Sequence, residues 1–143
     1  MIAVVKAIVD SAAHGLFAPA EIVADVTPRV AGEFENTGAG MTPRELTLQV
    51  AETAASYVVE DVRYDALAAR VLIDWIHDEV GLSWRAAVEA AAKHVDDAGN
   101  AMPRVSDDVI KAADAAEELD LQLKHKRDND FSYLGIRTLL KTY

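Results

Sequence analysis

Apolar residues recur at helical spacing along almost the whole chain, and the breaks between runs fall on glycine, proline and short polar clusters. Near the start Ile2, Val5, Val9, Ala12 and Ala13 share one helical face, with Gly15 as the stop. The β-branched run there also suits a strand over residues 2 to 9, but no hairpin turn adjoins it. Pro19 opens a second helix, and Pro28 must kink or end it, because proline lacks the N–H that the turn would use. ENTGAG, residues 35 to 40, reads as a loop. Thr42-Pro43-Arg44-Glu45 then has the form of a capping box with proline at the first helical position, which starts a third helix burying Leu46, Val50, Ala54 and Val58.

A fourth helix carries Leu67, Val71, Leu72, Trp75 and Ile76 and ends near Gly81. Ser83 caps a fifth, with Trp84, Ala87, Val88, Ala91 and Val95 inward and Gly99 as terminator. After the loop NAMPRV, Ser106 caps a sixth that runs through Val109, Ile110, Ala113 and Ala116 toward Leu119 and Leu123. Asp107 and Asp108 in its first turn and Lys124 to Arg127 near its end complement the helix dipole. A last helix covers residues 132 to 141. The pattern predicts an all-α bundle of six to seven helices, with no internal repeat.

Composition narrows the function more than the fold. The 143 residues are 51% hydrophobic and carry 24 acidic against 14 basic residues, a net charge of −10. That balance suits a folded protein and disfavours nucleic acid and anionic membranes as partners, both being polyanions. No run approaches the ~20 apolar residues that span a bilayer. The opening MIAVVKAIVDSAAHG has no basic leader and includes Asp10, so the expected location is cytoplasmic. Cysteine is absent, which removes disulfides, thiolate metal sites and thiol catalysis from these residues.

Candidate chemistry is sparse. Asp74, His77 and Asp78 stand at i, i+3 and i+4, where one helical face could offer carboxylate, imidazole and carboxylate to a metal. No second histidine-bearing helix motif completes such a site, so the plainer reading is a solvated polar face, and no metal is expected. His14, His94 and His125 are isolated. No nucleophile elbow, P-loop or dinucleotide fingerprint is present, and no catalytic residue is expected. Phe131, Leu134, Leu139, Leu140 and Tyr143 instead form an apolar cluster where a frayed polar tail would be usual.

The segment holding that cluster carries a resemblance. Arg127-Asp128, Phe131, Tyr133, Gly135, Thr138, Leu139 and Tyr143 follow R-D-x-x-F-x-Y-x-G-x-x-T-L-x-x-x-Y. This resembles the segment closing the N-terminal helical domain of the ribonucleotide reductase large, catalytic subunit. Tyr64 to Arg70, YDALAAR, is similar to the Y-x-x-L-A-A-R helix of the same domain, with IHDEVG and SDDVIKAADAAEELDLQL between them in order. GMTPRELTLQVAETAASYV is similar to the third helix of the ATP cone, the family's small regulatory domain. The resemblance is strong over residues 60 to 143 and weaker over 38 to 60. It implies ATP-cone-like helices over 1-60 and a reductase N-terminal helical domain over 61-143.

Departures matter as much. The cone normally begins with a β-hairpin bearing phosphate-binding basic residues, whereas this chain starts on a helix. Asp78 stands where many cones place a phosphate-binding lysine. Residues 1 to 62 hold only Lys6, Arg29 and Arg44 as bases against nine acids, a poor field for a triphosphate. The expectation is a degenerate cone that has lost ATP and dATP sensing. The family's barrel, with its radical and reducing cysteines, has no counterpart here.

Three functions follow from the resemblance. The first is a non-catalytic N-terminal subunit of a split reductase that completes a catalytic barrel chain in trans, with the radical-generating small subunit as a further member of the assembly. It would serve deoxyribonucleotide synthesis and hence DNA replication. Phe131, Tyr133, Leu139 and Tyr143 are then the docking residues, and Arg127 with Asp128 fixes the turn before them; the alternative for this set is an intramolecular core. The second is a free-standing helical module that regulates a reductase or another protein. The third is surviving nucleotide sensing, with Thr42 capping a helix whose N-terminus holds a phosphate.

Overall fold

The computed structural model describes residues 2–14, 20–21, 24–25, 27–29, 32, 40–115 and 118–142. Every regular element among them is helical: α1 (Ile2–Ala13), α2 (Pro43–Ser56), α3 (Arg63–Val80), α4 (Trp84–Ala92), α5 (Asp107–Ala115), α6 (Glu118–Gln122), a 3-10 turn (His125–Asp130) and α7 (Tyr133–Thr142). The fold is therefore all-α, as the spacing predicts, and residues 2 to 9 are helix rather than strand. Pro19 and the loop at 35 to 39 lie outside the described residues. Residues 27–29 are helical, so the chain remains helical at Pro28. No described helix is long and apolar enough to cross a membrane.

Packing divides the chain into two compact units, Met1–Ile76 with Lys126–Tyr143, and His77–His125. This is a division by packing; the boundary expected at residue 60 is one of ancestry, a different property. In the first unit Val5, Val9, Ala12 and Ala13 of α1 meet Val50, Ala51 and Ala54 of α2. Against them lies α3, where Leu67, Ala68, Ala69, Val71, Leu72 and Ile73 are all buried. A single amphipathic stripe would bury fewer; α3 is covered on more than one side and forms the centre of the unit. Its alanines let neighbouring backbones approach, and each of Leu67 and Leu72, wholly buried, contributes about 1.5–3 kcal/mol.

Polar contacts fix the ends of these helices. Arg70 donates to the carbonyl of His14 at 2.9 Å, and Ser11 donates to Asp74 at 3.2 Å. Beyond Ser56 the chain leaves the helix, because the Tyr57 N–H turns back to the carbonyls of Ala54 and Ala55. Val58, expected in the buried stripe, is consequently exposed in the turn that follows. At the other end of α3, Gly81 adopts φ +75° and donates to the His77 carbonyl, the helix stop read from the sequence.

In the second unit α4 packs on α5 and α6, with Val88 and Ala113 buried. Ser83 caps α4 as expected, its hydroxyl accepting from the Ala86 N–H at 3.2 Å. The helix ends at Ala92, earlier than its apolar spacing suggests. Val95 is therefore not inward but exposed, in a lone antiparallel bridge with Ala101. Asp96 accepts from the N–H groups of Ala98 and Asn100 at 2.9 and 2.8 Å, and Gly99 takes φ +82° to close this turn. The Asn100 side-chain amide, which donates to Asp96 at 3.0 Å, holds the Asp96 carboxyl below its usual range, with the backbone bonds adding to it. Gly99 thus makes a tight reversal rather than terminating the helix. Trp84, Ala87, Leu119 and Leu123 also face water rather than the core.

Candidate docking surface

The approach to α7 is built from local hydrogen bonds. Phe131 N–H donates to the Asp128 carbonyl at 3.2 Å, closing the turn that Arg127-Asp128 was expected to fix. Ser132 then serves as cap: its hydroxyl accepts from Gly135 N–H at 3.2 Å and its carbonyl from Ile136 N–H at 3.0 Å. The Asp65 carboxylate of α3 accepts from Tyr133 N–H at 3.3 Å, an anion at a helix N-terminus where the dipole favours it.

Two faces of α7 differ sharply. Tyr133, Ile136 and Leu140 point onto the core of the first unit, Ile136 being 7% exposed. Arg137 lies on this side too, paired with Glu52 of α2 at 2.5 Å and donating to the Tyr133 hydroxyl at 3.3 Å. Burial, before any other cause, raises the Tyr133 phenol above its ordinary value. The opposite side carries Phe131, Leu134 and Leu139, exposed by 44%, 71% and 40%. The Phe131 ring lies over Gly135, where an added Cβ would sit 3.6 Å from it. Thr138 turns its hydroxyl back to the Leu134 carbonyl at 2.7 Å, so its methyl group is what it offers outward.

From Phe131 to Leu140 the sequence holds one charge, Arg137, and that charge is drawn onto Glu52. The outer face is accordingly apolar from Phe131 to Leu139, with Lys141, exposed and seven residues after Leu134, as a charge at its far end. Of the expected docking residues, Phe131 and Leu139 lie on it. Tyr133 does not: it faces the core, because the helix places it with Ile136 and Leu140 at i, i+3 and i+7. Leu134 takes its place, a residue of the apolar cluster that could have been found by its i+3 spacing from Phe131. Tyr143 lies outside the described residues.

Thr42 is engaged within its own helix. Its hydroxyl accepts from Glu45 N–H at 3.2 Å, while its own N–H and hydroxyl donate to the Glu45 carboxylate at 2.7 and 2.9 Å. Those bonds, the backbone one first, hold the Glu45 carboxyl below its usual range. An anion already stands where a phosphate would approach. A cavity of about 520 Å³ in the first unit is lined by Glu21, Asp25, Glu60 and Asp61, with Arg63 paired to Asp61. Tyr64 donates to Asp25 there at 2.8 Å, and its phenol is pushed up to about 12, by burial first and then by Asp25. Of the polar triplet on α3, Asp74 accepts from Ser11, His77 meets the His125 ring edge-on at 5.6 Å, and Asp78 is exposed.

Sequence comparison finds a likeness to the reductase over about three quarters of the chain. The chain's homologues are ribonucleotide reductase large subunits. It is 31% identical over 106 residues to the ribonucleoside-diphosphate reductase large subunit of Arabidopsis thaliana, 73% of this chain and 13% of that protein. The large chain of Neurospora crassa is 28% identical over the same share of this chain and 11% of its own length. The large subunit of Caenorhabditis elegans is likewise 28% identical, over 14% of its length. The chain therefore spans only about an eighth of the curated relatives it matches. No family model matches it.

Proposed function

We propose that this chain is a non-catalytic helical component of a ribonucleotide reductase large subunit, completing a cysteine-bearing catalytic barrel chain in trans for deoxyribonucleotide synthesis. The observation that carries the reading is the exposed apolar outer face of α7, Phe131, Leu134 and Leu139, in a segment whose pattern resembles the reductase. Such a face costs free energy in water and gains it under a partner of matching shape. The 143 residues contain no cysteine, so thiyl chemistry would be supplied from outside them. The chain's role is then to cover and position the barrel. The radical-generating small subunit would join the same assembly.

The test is co-expression with a cysteine-bearing barrel polypeptide from the same genome. Co-purification, with ribonucleotide reduction that depends on this chain, is the expected result. A barrel chain that reduces ribonucleotides equally well alone and never binds this one would end the proposal. Binding to an intact, uninterrupted reductase would instead favour the regulatory module. Nucleotide sensing is the weakest reading, since the Glu45 carboxylate already occupies the Thr42 cap and the cavity of the first unit is rich in carboxylates.

A further inference from the structure

A second apolar surface lies in the unit His77–His125, independent of α7. Asp120 of α6 accepts from the Ser83 hydroxyl at 2.7 Å and from Trp84 N–H at 2.6 Å. This clasp holds Leu119-Asp120-Leu121 beside Leu82-Ser83-Trp84. The polar atoms are spent on the clasp while the flanking side chains face water: Leu82, Trp84, Leu119 and Leu123 are about half exposed and Leu121 is 86% exposed. Their exposed apolar surface sums to on the order of several hundred Å², comparable with the largest apolar patch of a typical monomer, which is often functional.

The charge around this patch selects what covers it. Residues 77 to 125 hold eleven acids and five bases. Three of those bases are drawn to acids of the same unit: Arg85 to Glu89 and Asp114, Lys93 to Glu89, Lys111 to Asp108. Asp78, Glu79 and Glu118 are exposed on the elements that lead into the clasp, Lys124 follows Leu123, and His125 bonds to the Leu82 carbonyl at 2.9 Å; the excess of acids over bases leaves the unit as a whole negative. A second copy of the chain would bring like charge, and so would an anionic membrane. We propose that the Leu82, Trp84 and Leu121 patch docks a basic amphipathic helix of a protein partner, leucine-type side chains on the patch and lysine or arginine on the acidic rim.

The probe is a synthetic peptide of leucine and lysine with leucines at helical spacing, titrated into the full chain and followed by amide chemical shifts. Two controls keep the length: one replaces every lysine by glutamate, the other every leucine by glutamine. The leucine–lysine peptide should bind, with shifts centred on residues 82 to 84 and 119 to 123, and weaken as salt is added. Leu121→Ala, at a side chain already in water, should weaken it about tenfold or more, whereas Leu134→Ala on α7 should not. Equal binding of the glutamate peptide or of the glutamine peptide would overturn the proposal, as would indifference to Leu121→Ala. Self-association of the chain that disappears with Leu121→Ala would overturn it in favour of a second copy.

Discussion

Two neighbouring substitutions on α7 separate its inner face from its outer one. Ile136 is 7% exposed within the core, and truncating a buried isoleucine to alanine costs about 2–5 kcal/mol, the lost transfer energy plus the cavity left behind. Leu134, two residues earlier, is 71% exposed, so less than a third of the roughly 1.5–3 kcal/mol for full leucine burial is at stake, under about 1 kcal/mol. Urea unfolding followed by circular dichroism should therefore show a large loss for Ile136→Ala and almost none for Leu134→Ala. Binding to the catalytic chain should respond in the opposite order: Leu134→Ala, folded and unbound, should lose at least about 1.4 kcal/mol of affinity, a factor of ten. Titration calorimetry reads that directly. If Leu134→Ala unfolds as readily as Ile136→Ala, or if it binds the catalytic chain as well as the parent does, the outer face of α7 is not a docking surface.

Alkaline pH probes Tyr64. Its folded-state phenol, raised to about 12, stays protonated after the unfolded chain begins to ionise near 10, so its contribution is intact below about pH 10 and is lost as pH rises toward 12. Between pH 9 and 11 the parent should lose up to about 1.4 kcal/mol more stability than Tyr64→Phe, less if water in the adjoining cavity screens the site; parallel curves would refute this. Thr42→Ala should cost about 1 kcal/mol, the ordinary worth of a cap, and ATP or dATP titrated into the parent should give a flat calorimetric trace. Asp120→Ala leaves Ser83 and the Trp84 N–H without their acceptor and should destabilise the start of α4 by about 1–3 kcal/mol, read as faster hydrogen exchange there.

What the sequence revealed was what local chemistry decides. The Thr42 capping box, the Ser83 cap and the Gly81 stop each depend on residues within one helical turn, and each is found where expected. Apolar spacing runs on past the point at which the chain turns, and there it misleads. Val58 and Val95 continue a helical pattern, but Tyr57 and Lys93 have already closed their helices. The phase of α7 was hidden for a different reason: apolar residues lie on both sides of it, and only packing on α2 and α3 selects Tyr133 over Leu134 as the inner residue. The clasp of Asp120 with Ser83 spans 37 positions, beyond any periodicity. The cavity beside Tyr64 depends equally on distant pairing, Asp25 lying 39 positions from its donor.

The uneven distribution of core also bears on function. The large buried cluster belongs to the first unit, whereas among the described residues of the second only Val88 and Ala113 are buried. Fewer than fifty residues with so thin an interior gain little from burial, and domains of that size depend on added constraints or on association. The second unit should accordingly open at lower free energy than the first, with amides of α4 and α5 exchanging before those of α1 and α3. A ligand that covers Leu82, Trp84 and Leu121 only when the unit is folded must slow that exchange by the free energy of its binding. Hydrogen exchange with and without the leucine–lysine peptide therefore tests both statements. Equal protection of the two units in the free chain would mean that the second is stabilised by something other than its own interior, and the link between its thin core and its exposed patch would fail.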